Sequence, residues 1–161
     1  MDEVLVKTTT RGADILSDPS KYKPTTKETA DHSLPYCIAV TIAKGNVLPS
    51  DFEEEALKDP FVWELLPRIN VVADPEIDAL FPKVKRAIVT VTTKDGGSFT
   101  KQEDFAKGQA ERPLTDEELI GKFRANASGA VTDNRLDEIA RGTLNLEGVS
   151  DIRNYMKLLI R

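Results

Sequence analysis

The sequence contains little of the chemistry that most catalytic centres use. Its 161 residues include one cysteine and one histidine. A single cysteine excludes an internal disulfide and a four-thiolate metal site, and it is typical of proteins from a reducing compartment. No apolar run approaches the roughly 18 residues that a membrane-spanning helix needs, and the acidic start Met1-Asp2-Glu3 is not typical of a signal peptide. We therefore expect a cytoplasmic protein.

Positive charge is also scarce. The chain has 22 Lys and Arg residues against 27 Asp and Glu residues, which gives a net charge of −5. The imbalance lies in the first half, where residues 1–80 contain 8 basic and 15 acidic side chains. No basic face or interleaved aromatic stripe is present, so the sequence indicates neither nucleic-acid nor membrane binding. A half this acidic does not attract an anionic ligand by its own field, so extra positive charge must come from elsewhere.

The histidine and the cysteine lie in one stretch, which the pattern predicts to be a helix and its entry. Ser33 is a typical N-cap that can accept a hydrogen bond from the N–H of Tyr36. The residues that follow are apolar on nearly all sides, which predicts a central, buried helix, and Gly45 is a suitable end. His32, Ser33 and Tyr36 then gather at the positive end of the helix, where a carboxylate or phosphate binds readily.

The rest of the pattern predicts an α+β fold, with a small, mostly antiparallel sheet covered by helices. The predicted order is a strand, several helices, a second strand, a hairpin closed by Asp95-Gly96-Gly97, and three helices. Ser50 with Glu53, and Thr115 with Glu118, have the spacing of capping boxes. The predicted strands are 4–9, 69–73, 84–93 and 98–105, and the predicted helices are 12–17, 27–30, 36–43, 50–58, 60–66, one from 115, 132–144 and 150–160.

Several motifs have an ordinary structural explanation that competes with a functional one. Cys37 is more typical of a small core residue than of a nucleophile, since no second histidine is available as its base. One histidine and one cysteine without companions do not support a metal site. His32 and Tyr36 are each typical of structural positions, and only their coincidence at one helix end keeps both explanations open. The residues alone therefore predict a helix-end anion site without a complete catalytic set.

Residues 23–36, Lys-Pro-Thr-Thr-Lys-Glu-Thr-Ala-Asp-His-Ser-Leu-Pro-Tyr, resemble the signature of the MmgE/PrpD family. That family contains 2-methylcitrate dehydratase, cis-aconitate decarboxylase and iminodisuccinate epimerase. The resemblance continues in order through almost the whole chain, at Ala39, Gly45, Val71, Asp74-Pro75-Glu76, Thr92, Asp95-Gly96, Gly108, Pro113-Leu114-Thr115 and Lys122-Phe123.

The resemblance implies that the chain is one part of a two-domain enzyme. Family members have a large helical N-terminal domain and a smaller α+β lid, with the active site between them. Residues 1–161 resemble the lid as a single α+β domain, and helices within 132–161 would return toward the helical domain. The tyrosine of the His-Ser-x-x-Tyr motif carries over as the catalytic residue Tyr36, with His32 and Ser33 beside it at the substrate. No metal or organic cofactor is implied.

Two functional hypotheses follow from this resemblance. The first is a lid domain or subunit of a 2-methylcitrate dehydratase-like lyase, inactive without its helical partner, acting on a small di- or tricarboxylate. The alternative is a non-catalytic module, derived from that lid, which binds a carboxylate or serves in assembly. The chain could also be a fragment of a longer protein. Helices that face a partner leave apolar surface exposed, so we also expect self-association.

Overall fold

The computed structural model describes residues 1–160, which form two compact units that meet in sequence between Arg112 and Pro113. The prediction of one α+β domain over residues 1–161 stays a prediction, and each unit is described by itself. The first unit contains a sheet and five helices, and the second contains helices only. The α+β class predicted from the sequence is confirmed.

The first unit is built on a four-stranded mixed sheet in the order β2-β1-β3-β4. Strand β1 pairs in parallel with β2 and antiparallel with β3, and β3 pairs antiparallel with β4. A mostly antiparallel sheet, as predicted, is therefore present. The strands are β1 (Glu3–Thr8), β2 (Ile69–Ala73), β3 (Ala87–Thr92) and β4 (Ser98–Glu103).

Helices fill the long connection between the parallel strands, because parallel neighbours cannot be joined by a tight turn. Short 3-10 turns at Pro19–Tyr22, Pro49–Phe52, Ala56–Lys58 and Leu66–Arg68 separate or extend them. A fifth helix follows β2. The helices are α1 (Thr10–Leu16), α2 (Lys27–Asp31), α3 (Leu34–Lys44), α4 (Pro60–Leu65) and α5 (Pro75–Leu80).

The core of the first unit lies between α3, α4 and one face of the sheet. Alternation in β1 buries Val4 and Val6, and this pattern is the signature of a strand with one covered face. Tyr36, Ala39 and Val40 of α3 pack into the same cluster. These contacts fix α3 directly on the sheet.

Three predictions about this unit are wrong. Helix α3 is buried on one face only, because Thr41 and Ile42 are exposed. Residues 50–58 form two 3-10 turns instead of one helix, since Glu53 pairs with Lys27 at 2.8 Å and does not cap Ser50. No helix was predicted directly after β2, yet α5 forms there, with Asp74 as its cap accepting from the N–H of Glu76 at 2.9 Å.

The second unit consists of α6 (Asp116–Ala127), α7 (Asp133–Leu144), a 3-10 turn at Leu146–Gly148, and α8 (Ile152–Lys157). The predicted capping box is confirmed, as Thr115 accepts from the N–H of Glu118 and Glu118 returns the bond. Arg135 of α7 donates at 2.8 Å to the carbonyl of Leu158, beyond the end of α8. The return of these helices toward a helical domain stays a prediction. No helix within residues 1–160 has both the length and the apolar character to cross a membrane.

Gly45 ends α3 in the left-handed region, with φ of 83°, and no atom lies within 4 Å of the position that a Cβ would take there. Substitution there therefore costs conformational energy without a steric clash. Gly45→Ala should lower the free energy of unfolding by about 1 kcal/mol. Gly45→Asn, which adds a larger side chain but tolerates this conformation, should cost less. Urea unfolding of the three chains measures the difference, and equal losses for Ala and Asn would contradict this account.

Candidate functional site

Ser33 joins the N-terminal end of α3 to the segment before it. Its Oγ accepts from the N–H of Tyr36 at 3.0 Å, as predicted, and donates to the carbonyl of Lys21 at 2.6 Å. The residue is 1% exposed. Both hydrogen bonds are therefore made in a desolvated setting, where an unpaired hydroxyl costs the most. The serine is fully used in holding the helix to the 3-10 turn that contains Lys21.

Few backbone amides remain for an anion at this helix end. The N–H of Tyr36 is taken by the Ser33 side chain, and that of Cys37 donates to the Ser33 carbonyl at 3.0 Å. Pro35 has no N–H to offer. The charge that could bind an acid must therefore come mainly from side chains.

Tyr36 lies in the first turn of α3 and is 0% exposed. Its hydroxyl donates to the backbone carbonyl of Asp51 at 2.7 Å, and its ring lies 6.0 Å from that of Phe52. Burial, with the nearby charges of Asp51 and Asp59, raises the pKa of Tyr36 to about 12. The phenol is therefore protonated at neutral pH and can serve as a hydrogen-bond donor but not as a base.

His32 is the exposed member of the predicted set, with 69% of its side chain accessible. Its Nδ1 contacts the carboxylate of Asp31, and also the carbonyl of Glu28 at 3.0 Å. Both partners are acceptors, so Nδ1 carries a proton and Nε2 is the position that changes state. The hydrogen bond to Asp31, then the bond to Glu28, raises the pKa of His32 above its usual 6.5. The arrangement favours an imidazolium at the protein surface.

Lys21 is a second basic residue beside the start of α3. Its carbonyl accepts from Ser33, which fixes its backbone there. The hydrogen bond to Asp31 is the largest influence on the pKa of His32 and raises it, whereas the charge of Lys21 is the smallest and lowers it. Hydrogen bonds from Ser20 lower the pKa of Asp18, and the charge of Lys21 adds to this effect. The charges of Lys21 and His32 are therefore near enough to interact.

The structure brings together the three predicted residues but gives them different environments. His32 is accessible, whereas Ser33 and Tyr36 are buried and hydrogen-bonded within the first unit. Cys37 is half-buried, and burial raises the pKa of its thiol, which agrees with a packing role. Lys21 and Asp51 were missed: the first sits in a Pro-bearing loop, and the second in a segment mistaken for a helix start.

Within residues 1–160, no group of three His, Cys, Asp or Glu side chains is placed to hold a metal ion. The groups at the end of α3 are an accessible imidazole, an ammonium, and two hydroxyls that already donate to backbone carbonyls. An imidazolium and an ammonium can bind a carboxylate through charge-assisted hydrogen bonds.

Residues 1–146 match the family model for the MmgE/PrpD C-terminal domain. The chain belongs to the MmgE/PrpD family. The match includes the whole first unit and extends through α7 of the second. The resemblance noted in residues 23–36 is confirmed.

The proteins similar to this chain include cis-aconitate decarboxylases. The human enzyme is 30% identical over 136 residues, which is 84% of this chain and 28% of the human protein. A cis-aconitate decarboxylase-like protein of Aspergillus oryzae is 28% identical over 137 residues, and the Aspergillus terreus enzyme is 27% identical over 139. For both fungal proteins the match covers 85% of this chain and 28% of the relative. The chain thus spans little more than a quarter of the length of these relatives.

The lone imidazole allows a direct measurement of the Asp31 contact. NMR titration of the single histidine should give a pKa above 6.5, and Asp31→Asn should bring it closer to 6.5. Because the folded-state pKa is raised, the stabilisation from this contact is present below the unfolded pKa of about 6.5 and is lost as pH rises through the folded value. An unchanged pKa in the Asn variant would contradict the assigned partner.

Proposed function

We propose that this chain is the lid of an MmgE/PrpD lyase that acts on a small di- or tricarboxylate and receives the rest of its active site from a helical N-terminal domain or subunit. One observation carries the proposal. Residues 1–146 match the C-terminal domain of this family, and the relatives that share it are decarboxylases of a tricarboxylate. The match to only 28% of those enzymes supports a shared active site.

The reaction class requires proton removal next to a carboxylate, followed by loss of carbon dioxide or hydroxide, or by reprotonation. Each outcome needs a base, an acid, and donors that hold several carboxylates. His32 as an imidazolium and Lys21 as an ammonium fit the last of these roles. Ser33 holds both in place through its bonds to α3 and to the Lys21 carbonyl. The base is then supplied by the helical partner.

Tyr36 is proposed as the catalytic residue of the lid, a neutral phenol that donates to the charge that develops on the substrate. Its raised pKa suits a donor, because it stays protonated over the whole neutral range. Its hydrogen is given to the Asp51 carbonyl at 2.7 Å. In this proposal the substrate therefore replaces that carbonyl as the acceptor.

A chimera tests the proposal. Residues 1–146 are placed in human cis-aconitate decarboxylase in exchange for the 28% of that enzyme that they match. The chimera is then incubated with cis-aconitate and, separately, with 2-methylcitrate, with loss of carbon dioxide and of water as the two readouts. Turnover of either acid by the chimera, and not by the isolated chain, is the expected result.

The controls separate the two hypotheses for the chain. Full activity of the isolated chain would refute a shared active site. Calorimetric binding of either acid to the isolated chain, together with a folded chimera that turns over neither, would favour the carboxylate-binding module. Light scattering of the chain over a wide concentration range tests the proposed self-association, which a strictly monomeric species would contradict.

The cationic pair predicts a defect in substrate binding. In the active chimera, His32→Gln and Lys21→Met should each raise KM about tenfold, since each removes one charge-assisted bond to a carboxylate. In the wild type, KM should rise as pH increases through the raised pKa of His32. Lys58→Met is the matched control, because Lys58 pairs with the exposed Glu54 and Glu55. Equal effects at Lys21 and Lys58 would refute the pair.

Tyr36→Phe tests the catalytic role. Loss of the hydroxyl should lower kcat by about 100-fold, as expected for a group that donates in the transition state. The free energy of unfolding should fall by about 1 kcal/mol through the lost bond to Asp51. Tyr155→Phe, which removes a bond to Thr143 at 2.7 Å, should leave kcat unchanged. If Tyr36→Phe keeps full kcat and loses only stability, the residue is structural.

A further inference from the structure

The 3-10 turn at Pro49–Phe52 covers the hydroxyl of Tyr36. Two of its residues make the contact: the Asp51 carbonyl accepts the phenolic hydrogen at 2.7 Å, and the Phe52 ring lies 6.0 Å from the tyrosine ring. With the turn in this position, Tyr36 is 0% exposed. The phenol therefore has no access to solvent or ligand while the turn lies against it.

The side chain of Asp51 holds this turn in place. It is 5% exposed, and its Oδ1 receives a hydrogen bond from Lys44 Nζ at 2.7 Å. Its Oδ2 accepts the N–H of Leu48, also at 2.7 Å. A carboxylate with so little solvent is stable only with such partners. Lys44 is the last residue of α3, so the helix that carries Tyr36 also carries the cation that retains its cover.

The other polar contacts of the turn are exposed or long. Glu53 pairs with Lys27 at 2.8 Å, but both side chains are more than half exposed, and such pairs contribute little. Pro49 and Ser50 are exposed, and the hydrogen bond from Glu53 N to the Ser50 carbonyl is 3.3 Å long. Phe52 packs half-buried against the core. The Asp51 carboxylate is therefore the main polar attachment of the turn.

We propose that residues 48–53 form a movable cover over Tyr36, kept closed by the Lys44–Asp51 ion pair. When the cover opens, the phenolic hydrogen bond passes from the Asp51 carbonyl to the charge that develops on the bound acid. Lys44 and Asp51 are then positioning residues that set the fraction of molecules in which Tyr36 can act. The closure itself is independent of the proposed function, whereas the effect on the acid rests on it.

Hydrogen–deuterium exchange on the 161-residue chain tests the closure. Lys44→Met should raise the exchange rate of peptides within residues 46–53 about tenfold, as expected on loss of a hydrogen bond to a charged group. Asp51→Asn, which can keep the Leu48 bond but loses the charge, should act in the same direction. Lys44→Arg should restore slow exchange. Lys58→Met is the control and should leave these peptides unchanged.

Urea unfolding of each variant separates local opening from loss of the whole fold. If residues 48–53 open locally, the two variants should increase the exchange rate of residues 46–53 more than that of peptides from β1 and β3. Unchanged exchange in both Lys44→Met and Asp51→Asn would overturn it. Faster exchange spread evenly over the first unit would also overturn it, because the ion pair would then support the fold as a whole.

Kinetics of the active chimera test the link to the substrate. A larger open fraction increases the share of bound molecules in which Tyr36 can donate, so Lys44→Met should raise kcat by up to the factor seen in exchange. In a Tyr36→Phe background the same substitution should have no effect on kcat. Faster exchange with unchanged kcat in both backgrounds would keep the cover and refute the role of Tyr36 toward the acid.

Discussion

The buried hydrogen bonds of Ser33 and Tyr36 are the constraint on which the candidate site depends. Ser33 fixes the start of α3 to the Lys21 carbonyl, and Tyr36 fixes the same helix to the Asp51 carbonyl. Each bond joins the helix to a short 3-10 turn outside the main helices and strands. Because both hydroxyls are desolvated, the loss of either partner leaves a polar group unpaired in the interior. Two otherwise irregular segments are therefore held at defined positions along one turn of helix.

This arrangement separates the buried polar groups from the charged ones. The hydroxyls determine where the backbone lies, and His32 and Lys21 lie at the surface that this backbone defines. Residues 1–80 contain 15 acidic and 8 basic side chains. The local potential beside α3 therefore depends more on His32 and Lys21 than on the net charge. Charges at the protein surface act only within about 10 Å at ordinary ionic strength. The field of these two groups is therefore local.

The local elements could be predicted because short-range rules determine them. Ser33 as N-cap, Gly45 as the end of α3 and the Thr115–Glu118 box each depend on residues within one turn of helix. The β-rich composition of residues 4–9 indicated a strand, and Val4 and Val6 are the residues that this strand buries. The MmgE/PrpD family was identified in another way. Residues 23–36 resemble a known signature, so the identification did not depend on short-range structural rules.

The predictions that were wrong share one physical cause, which is a contact between residues at no regular spacing in the sequence. The Asp51 carboxylate competes for the Leu48 N–H and for Lys44, seven residues away, and this competition converts an apparent helix start into a turn. Glu53 is drawn to Lys27, which is distant in sequence. The one-sided burial of α3 and the position of Lys21 likewise follow from tertiary contacts. Pairings of this type have no sequence period, so a pattern of residues cannot reveal them.

The parallel pairing of β1 with β2 has a consequence for synthesis on the ribosome. Strand β1 is made before both of its neighbours, β2 and β3, which come from much later in the chain. The helices between β1 and β2, α3 among them, are synthesised before β1 has a partner. Val4 and Val6 therefore lack their sheet neighbours until these later strands emerge.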